Sequence, residues 1–70
     1  MRYKVRAPDD AAYEELLRTL TEDEAVEVLL TSPRRRVIAT GDLPEGSRHD
    51  IAEIGGEISE DVQYDLEHPG

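Results

Sequence analysis

The stretch from Glu24 to Asp42, EAVEVLLTSPRRRVIATGD, decides the fold. Two apolar runs flank Ser32-Pro33-Arg34-Arg35, and Pro33 pre-sets the backbone for a turn, so the stretch predicts a β-hairpin. The first run fits two periods. Val26, Val28 and Leu30 alternate as in a strand; Val26, Leu29 and Leu30 fit a helix, and Thr21 and Glu24 have capping-box spacing. A strand is favoured because the run is short, is bounded by turn signals and is followed directly by a second apolar run. The chain also echoes itself: Thr21-Glu22-Asp23…Val26-Glu27-Val28 is matched by Ser59-Glu60-Asp61-Val62-Gln63-Tyr64. Pairing Ser32 with Arg35 sets Leu30 opposite Val37, Val28 opposite Ala39 and Val26 opposite Gly41, all on one buried face. The opposite face then carries Leu29 beside Ile38 and Glu27 beside Thr40.

Upstream, Arg2 to Ala7 alternates: Tyr3, Val5 and Ala7 point one way, and Arg2, Lys4 and Arg6 the other, as in a half-buried strand. Pro8-Asp9-Asp10 ends it and opens a helix, with either aspartate suited to the cap and the dipole. Tyr13, Leu16, Leu17 and Leu20 form the apolar stripe of that helix. Downstream, Pro44 or Ser47 opens a second helix, with Ser47 and Asp50 in capping-box spacing and Ile51 and Ile54 on one side. Gly55-Gly56 closes it as a left-handed cap. The last strand is placed where Val62, Tyr64 and Leu66 alternate with Gln63, Asp65 and Glu67.

The resulting order, βαββαβ, is two βαβ halves. Right-handed crossovers put both helices on one face of a four-stranded antiparallel sheet of order 4-1-3-2, a ferredoxin-like split βαβ sandwich of the α+β class. Its outward rows Arg2, Lys4, Arg6 and Gln63, Asp65, Glu67 are then neighbours of opposite charge. Seventy residues make one domain, 1–70, with 68–70 expected to fray.

Seventeen acidic residues face eight basic ones, a net charge of −9, and Lys4 is the sole lysine. This acid-rich, lysine-poor, aromatic-poor composition resembles that of haloarchaeal proteins, for which strong salt screens self-repulsion. The charge disfavours non-specific nucleic-acid binding. No apolar run approaches the ~20 residues needed to cross a bilayer, and the N-terminus lacks the apolar segment of a secretory signal. A cytoplasmic protein with neither nucleic-acid nor membrane partners is expected. With no cysteine, disulfides and thiolate metal sites are excluded.

The open sheet face is the candidate site: Leu29 and Ile38, rimmed by Glu27, Thr40, Asp65 and Glu67, would take a protein partner or a second copy. Arg34-Arg35-Arg36, the one basic cluster, suits an anion or an acidic partner, or a solvated hairpin tip. His49 and His68 match no metal-ligand spacing, and no nucleophile–base constellation is readable, so neither metal, cofactor nor catalysis is expected. The function that follows is a small acidic, salt-adapted interaction module. A small-ligand or metal-sensing domain is a further alternative.

The βαββαβ order, the strand Tyr3-Lys4-Val5-Arg6-Ala7 and the ending Ile51-Ala52-Glu53-Ile54-Gly55-Gly56-Glu57-Ile58…Val62-Gln63-Tyr64-Asp65 resemble the subtilisin propeptide and protease-inhibitor family. That resemblance implies that the open sheet face, with Leu29, Ile38, Asp65 and Glu67, packs on two helices of a protease. It also implies that the tail His68-Pro69-Gly70 enters the cleft, and so a protease inhibitor or folding assistant as the alternative function.

Overall fold

The computed structural model describes residues 2–60. Its elements are β1 (Tyr3–Arg6), α1 (Asp10–Glu22), β2 (Val28–Ser32), β3 (Val37–Thr40), α2 (Glu45–Ile54) and β4 (Glu57–Glu60). The strands form one antiparallel sheet of order β2-β3-β1-β4, which is 4-1-3-2 read from the other edge.

Local chemistry sets the helix ends. Asp9 has extended backbone and its Oδ1 accepts from the Ala12 amide at 2.8 Å, so Asp9 is the cap of α1. Ala12, Tyr13, Leu16 and Leu20 form the buried stripe, and Leu17 is half-buried beside it. α2 starts after Pro44 with no side-chain cap, so the capping box read into Ser47 and Asp50 does not form. Ser47 is instead buried and donates its hydroxyl to Asp23 Oδ2 at 2.5 Å. At the other end Gly55 is left-handed at φ 102°. The Gly55 amide reaches Ala52 O at 3.1 Å and the Gly56 amide reaches Ile51 O at 2.9 Å, which is the Schellman arrangement. Gly56 also lets the chain pass close to the core: a Cβ there would lie 2.8 Å from Ile51 Cγ2 and 3.0 Å from Leu16 Cδ1.

The core joins Val5 and Ile38 of the sheet to Leu16 and Leu20 of α1 and Ile51 of α2, all fully buried. Both helices therefore cover the sheet face that carries Val5 and Ile38, and the fold is ferredoxin-like.

The hairpin differs from expectation in register and in face. Ser32 pairs with Val37, not Arg35, so the loop is the four residues Pro33 to Arg36. Two-residue hairpin turns need positive φ at their first central residue, which proline cannot adopt. The chain instead makes successive turns, Arg35 N to Ser32 O and Arg36 N to Pro33 O, both 3.2 Å, and Arg36 takes the left-handed conformation at φ 58°. On the β1 side, Val5 pairs with Ile38 and Tyr3 with Thr40. Ile38 and Thr40 are accordingly buried beneath the helices, at 0% exposure, and are not on the open face. The expectation for these two residues is thus corrected: burying the larger Ile38 opposite Val5 prevails over Val37 and Ala39. The register shifts between Val28 and Leu30, a bulge at Leu29. It returns Val28 to the core side with Thr40 while Leu30 stays opposite Ala39 on the other.

The strand beside β1 is also shifted. Glu57–Glu60 fills that slot, with Ile58 opposite Val5. The alternation at 62–67, with Asp65 and Glu67, lies outside the described residues, as does the tail 68–70.

Asp23 ties three segments together. Its amide caps α1 on Leu20 O at 3.3 Å, its Oδ1 accepts from Ala25 N at 3.0 Å, and its Oδ2 takes the Ser47 hydroxyl. Hydrogen bonds from Ser47, then Ala25, hold its carboxyl below the usual aspartate range, against a smaller opposing effect of burial. A depressed folded pKa means that this contribution is present above the unfolded-state pKa and is lost as pH falls through the folded one. Asp23→Asn should therefore be less stable than wild type at neutral pH, and the gap in denaturation midpoint should close in acid. A gap that stays constant with pH would contradict the assignment.

The face assignment has its own test. Ile38→Ala is expected to lose about 2–5 kcal/mol by opening a cavity. Leu30→Ala should stay within about 0.5 kcal/mol. Urea denaturation of both variants gives the comparison, and equal losses would refute it.

Candidate functional site

The face away from the helices is built by register. One row across it runs Ser59, Lys4, Ala39, Leu30; the next runs Glu57, Arg6, Val37, Ser32. Adjacent strands lie about 4.8 Å apart, so Lys4 and Leu30 flank Ala39 from both sides. Ala39 is 5% exposed although it does not belong to the core cluster, because the longer side chains beside it shield its methyl group. Exposed Leu30 and half-buried Val37, over the shielded Ala39, thus make a small apolar patch, with Lys4 and Arg6 along one side. β2 is an edge strand. Leu29 and Leu30 stand at that rim, 40% and 63% exposed, the two exposed large apolar side chains among the described residues.

The expected site residues are redistributed. Leu29 is exposed, at the bulge. Glu27 is exposed but precedes β2, and its carbonyl accepts from Gly41 N at 3.0 Å. Ile38 and Thr40 are in the core. Leu30, Val37 and Ala39, assigned by the sequence to the buried face, are the ones brought together on the open one. Pro33 rules out the short turn, but a two-residue change of register keeps these three residues on a common face; what places that face outward is the pairing of Val5 with Ile38 between β1 and β3.

Lys4 and Arg6 keep their expected outward direction. Across the β1–β4 ladder Arg6 faces Glu57 and Lys4 faces Ser59; the expected partners Gln63, Asp65 and Glu67 lie outside the described residues. The turn residues Arg34 and Arg35 are exposed, and Arg36 is half-buried. The Arg36 backbone is anchored, its carbonyl accepting from Ala7 N at 2.8 Å, and its NH1 makes a longer contact of 3.4 Å to the exposed Asp10 Oδ1.

Charge is segregated. Lys4, Arg6, Arg34, Arg35 and Arg36 gather at one end of the sheet. α1 carries exposed Asp10, Glu14, Glu15 and Glu22, and α2 carries exposed Glu45, Asp50 and Glu53. Of the helical bases, Arg48 turns back to β1: its Nε donates to Leu43 O at 3.0 Å, its NH2 to the Tyr3 hydroxyl at 3.0 Å, and its guanidinium lies 5.0 Å from the Tyr3 ring centre.

Other chemistry-bearing groups are engaged locally. His49 Nε2 is 3.1 Å from Glu53 Oε2, one turn along α2, and the Ser47 hydroxyl is held by Asp23. Among the described residues no three His, Asp or Glu side chains converge as metal ligands, and no helix is long and apolar enough to cross a membrane. The surface can therefore offer an apolar contact at Leu30 and a concentrated positive charge beside it.

No family model, curated protein or solved structure matches the chain.

Proposed function

We propose that this protein is a non-catalytic interaction module that docks a protein partner, or a second copy of itself, on the sheet face left uncovered by the helices. One observation carries this reading: Leu29 and Leu30 stand exposed side by side at the rim of that face, continuous with Val37 and Ala39. Fully burying one leucine side chain contributes about 1.5–3 kcal/mol, so covering the pair would add appreciably to a core this small. The basic side chains next to the patch favour a partner with carboxylates at its rim. The acid-rich helical surface supports a salt-adapted protein, and the cytoplasm suits the composition.

An uncovered sheet is also the surface that the resemblance to subtilisin propeptides would use against protease helices. Inhibition of a subtilase by the chain is the test of that second reading.

Leu30→Asp is expected to leave the melting temperature nearly unchanged and to abolish association. Light scattering across a concentration series in strong salt reads out self-association, and pull-down on the immobilised wild type reads out a partner. A wild type that stays monomeric and retains nothing would overturn the reading. Separately, the melting temperature should rise from low to molar KCl as self-repulsion is screened; a flat response would remove the salt-adaptation claim.

A further inference from the structure

We propose that the sheet end at the β2–β3 turn is a binding site for a compact polyanion, a phosphoryl-type group with two or more negative charges. A recess of about 380 Å³ opens there, lined by Lys4, Arg6, Arg34, Arg35, Arg36 and Val37. Five of its six lining residues are cations, and no carboxylate among the described residues lines it. The chain as a whole is at −9, so this is not a sampling of the average surface.

Register builds the recess. Arg6 pairs with Val37, and Val37 directly follows Arg36, so β1 delivers its outward cations to the base of the arginine turn. Five like charges so placed repel one another, and among the described residues their neighbours compensate little. The Arg36–Asp10 contact is long, at 3.4 Å, between side chains 42% and 86% exposed, which makes it a weak pair. Glu57 faces Arg6 alone. Arg36 Nε is buried and has no hydrogen-bond partner among the described residues, although the Arg36 backbone is fixed by Ala7. The donors an oxyanion would meet are the exposed Arg34 and Arg35 guanidiniums beside Lys4 and Arg6, and a guanidinium can take an oxyanion with two parallel hydrogen bonds.

The anion is compact because the positive region is. The cations reach only from Lys4 to Arg36 and the chain carries −9 overall, so a long polyanion would gain little beyond the recess, which rules against nucleic acid. A single carboxylate would leave most of the five charges uncompensated. The site does not include Leu30, so it stands independently of the docking reading.

The test is an NMR titration with inorganic pyrophosphate at low ionic strength, with sodium chloride matched for ionic strength as the control. Saturable shifts are expected at the amides of Arg35, Arg36, Val37 and Ala7, with a melting temperature that climbs with pyrophosphate concentration. Arg36→Gly should fold at least as well, since φ 58° suits glycine, yet bind roughly tenfold more weakly, which corresponds to about 1.4 kcal/mol. Arg35→Glu, at an exposed turn position, should lose binding in the same way, and Arg18→Glu on α1 should not. Shifts that sodium chloride reproduces, wild-type affinity in both turn variants, or binding of an oligoglutamate peptide but not of pyrophosphate would each overturn the proposal.

Discussion

Pro33 holds φ near about −65°, and the tight two-residue hairpin turns require a positive value at that position. The consequence spreads through the molecule. The loop lengthens to four residues and the left-handed conformation that completes it falls on Arg36. The β2–β3 ladder moves by two residues from the shortest pairing, which keeps the faces of both strands; independently, β3 meets β1 with Ile38 against Val5, and that register leaves Val37 outside. The ring constraint thus fixes the loop length and the direction of an arginine carbonyl that bonds Ala7, while the pairing of β3 with β1 fixes which face is buried.

A core of this size needs its connections to be well anchored. Asp23 and Arg48 provide the anchors from opposite ends of the interval between α1 and α2. Asp23 joins the end of α1, the approach to β2 and the first turn of α2, and Arg48 joins α2 to the loop at Leu43 and to Tyr3 of β1. Each uses a charged group to satisfy backbone or hydroxyl groups where the chain has no regular ladder. Leu43 and Val26, buried in irregular segments, are held in place by these bonds.

Elements whose periodicity is strong were legible without coordinates. The Tyr13–Leu16–Leu20 stripe, the alternation of Tyr3 to Ala7 and the paired glycines at 55 and 56 each admit one physical reading, and together they specify the βαββαβ order. Less was legible where two readings compete. Val28 and Leu30 alternate in sequence, but the bulge at Leu29 separates them onto opposite faces, and no periodicity announces a bulge. β4 was missed because Glu57-Ile58-Ser59-Glu60 has one apolar residue at the sheet edge, while the stronger alternation follows it. The site suffered most. Deducing which face Ile38 occupies requires the register with β1, a long-range quantity, whereas the hairpin alone suggests the reverse. Arg34 to Arg36 were visible as a cluster, but the contribution of Lys4 and Arg6 depends on the same register.

The separation of charge restricts how the uncovered face can be used. A twofold dimer through it would bring the same patch to itself, setting Lys4, Arg6 and the turn arginines of one copy near those of the other. In dilute salt that repulsion would oppose the contact between leucines, and the proposed docking would favour an acidic partner. In molar salt the screening length falls to about 3 Å, the repulsion fades, and burial of Leu29 and Leu30 is no longer opposed. An anion bound at the turn would act in the same direction by neutralising the cations locally. Under the proposed docking, ionic conditions acting on a few side chains of β1 and the hairpin would therefore select between a foreign acidic surface and a second copy.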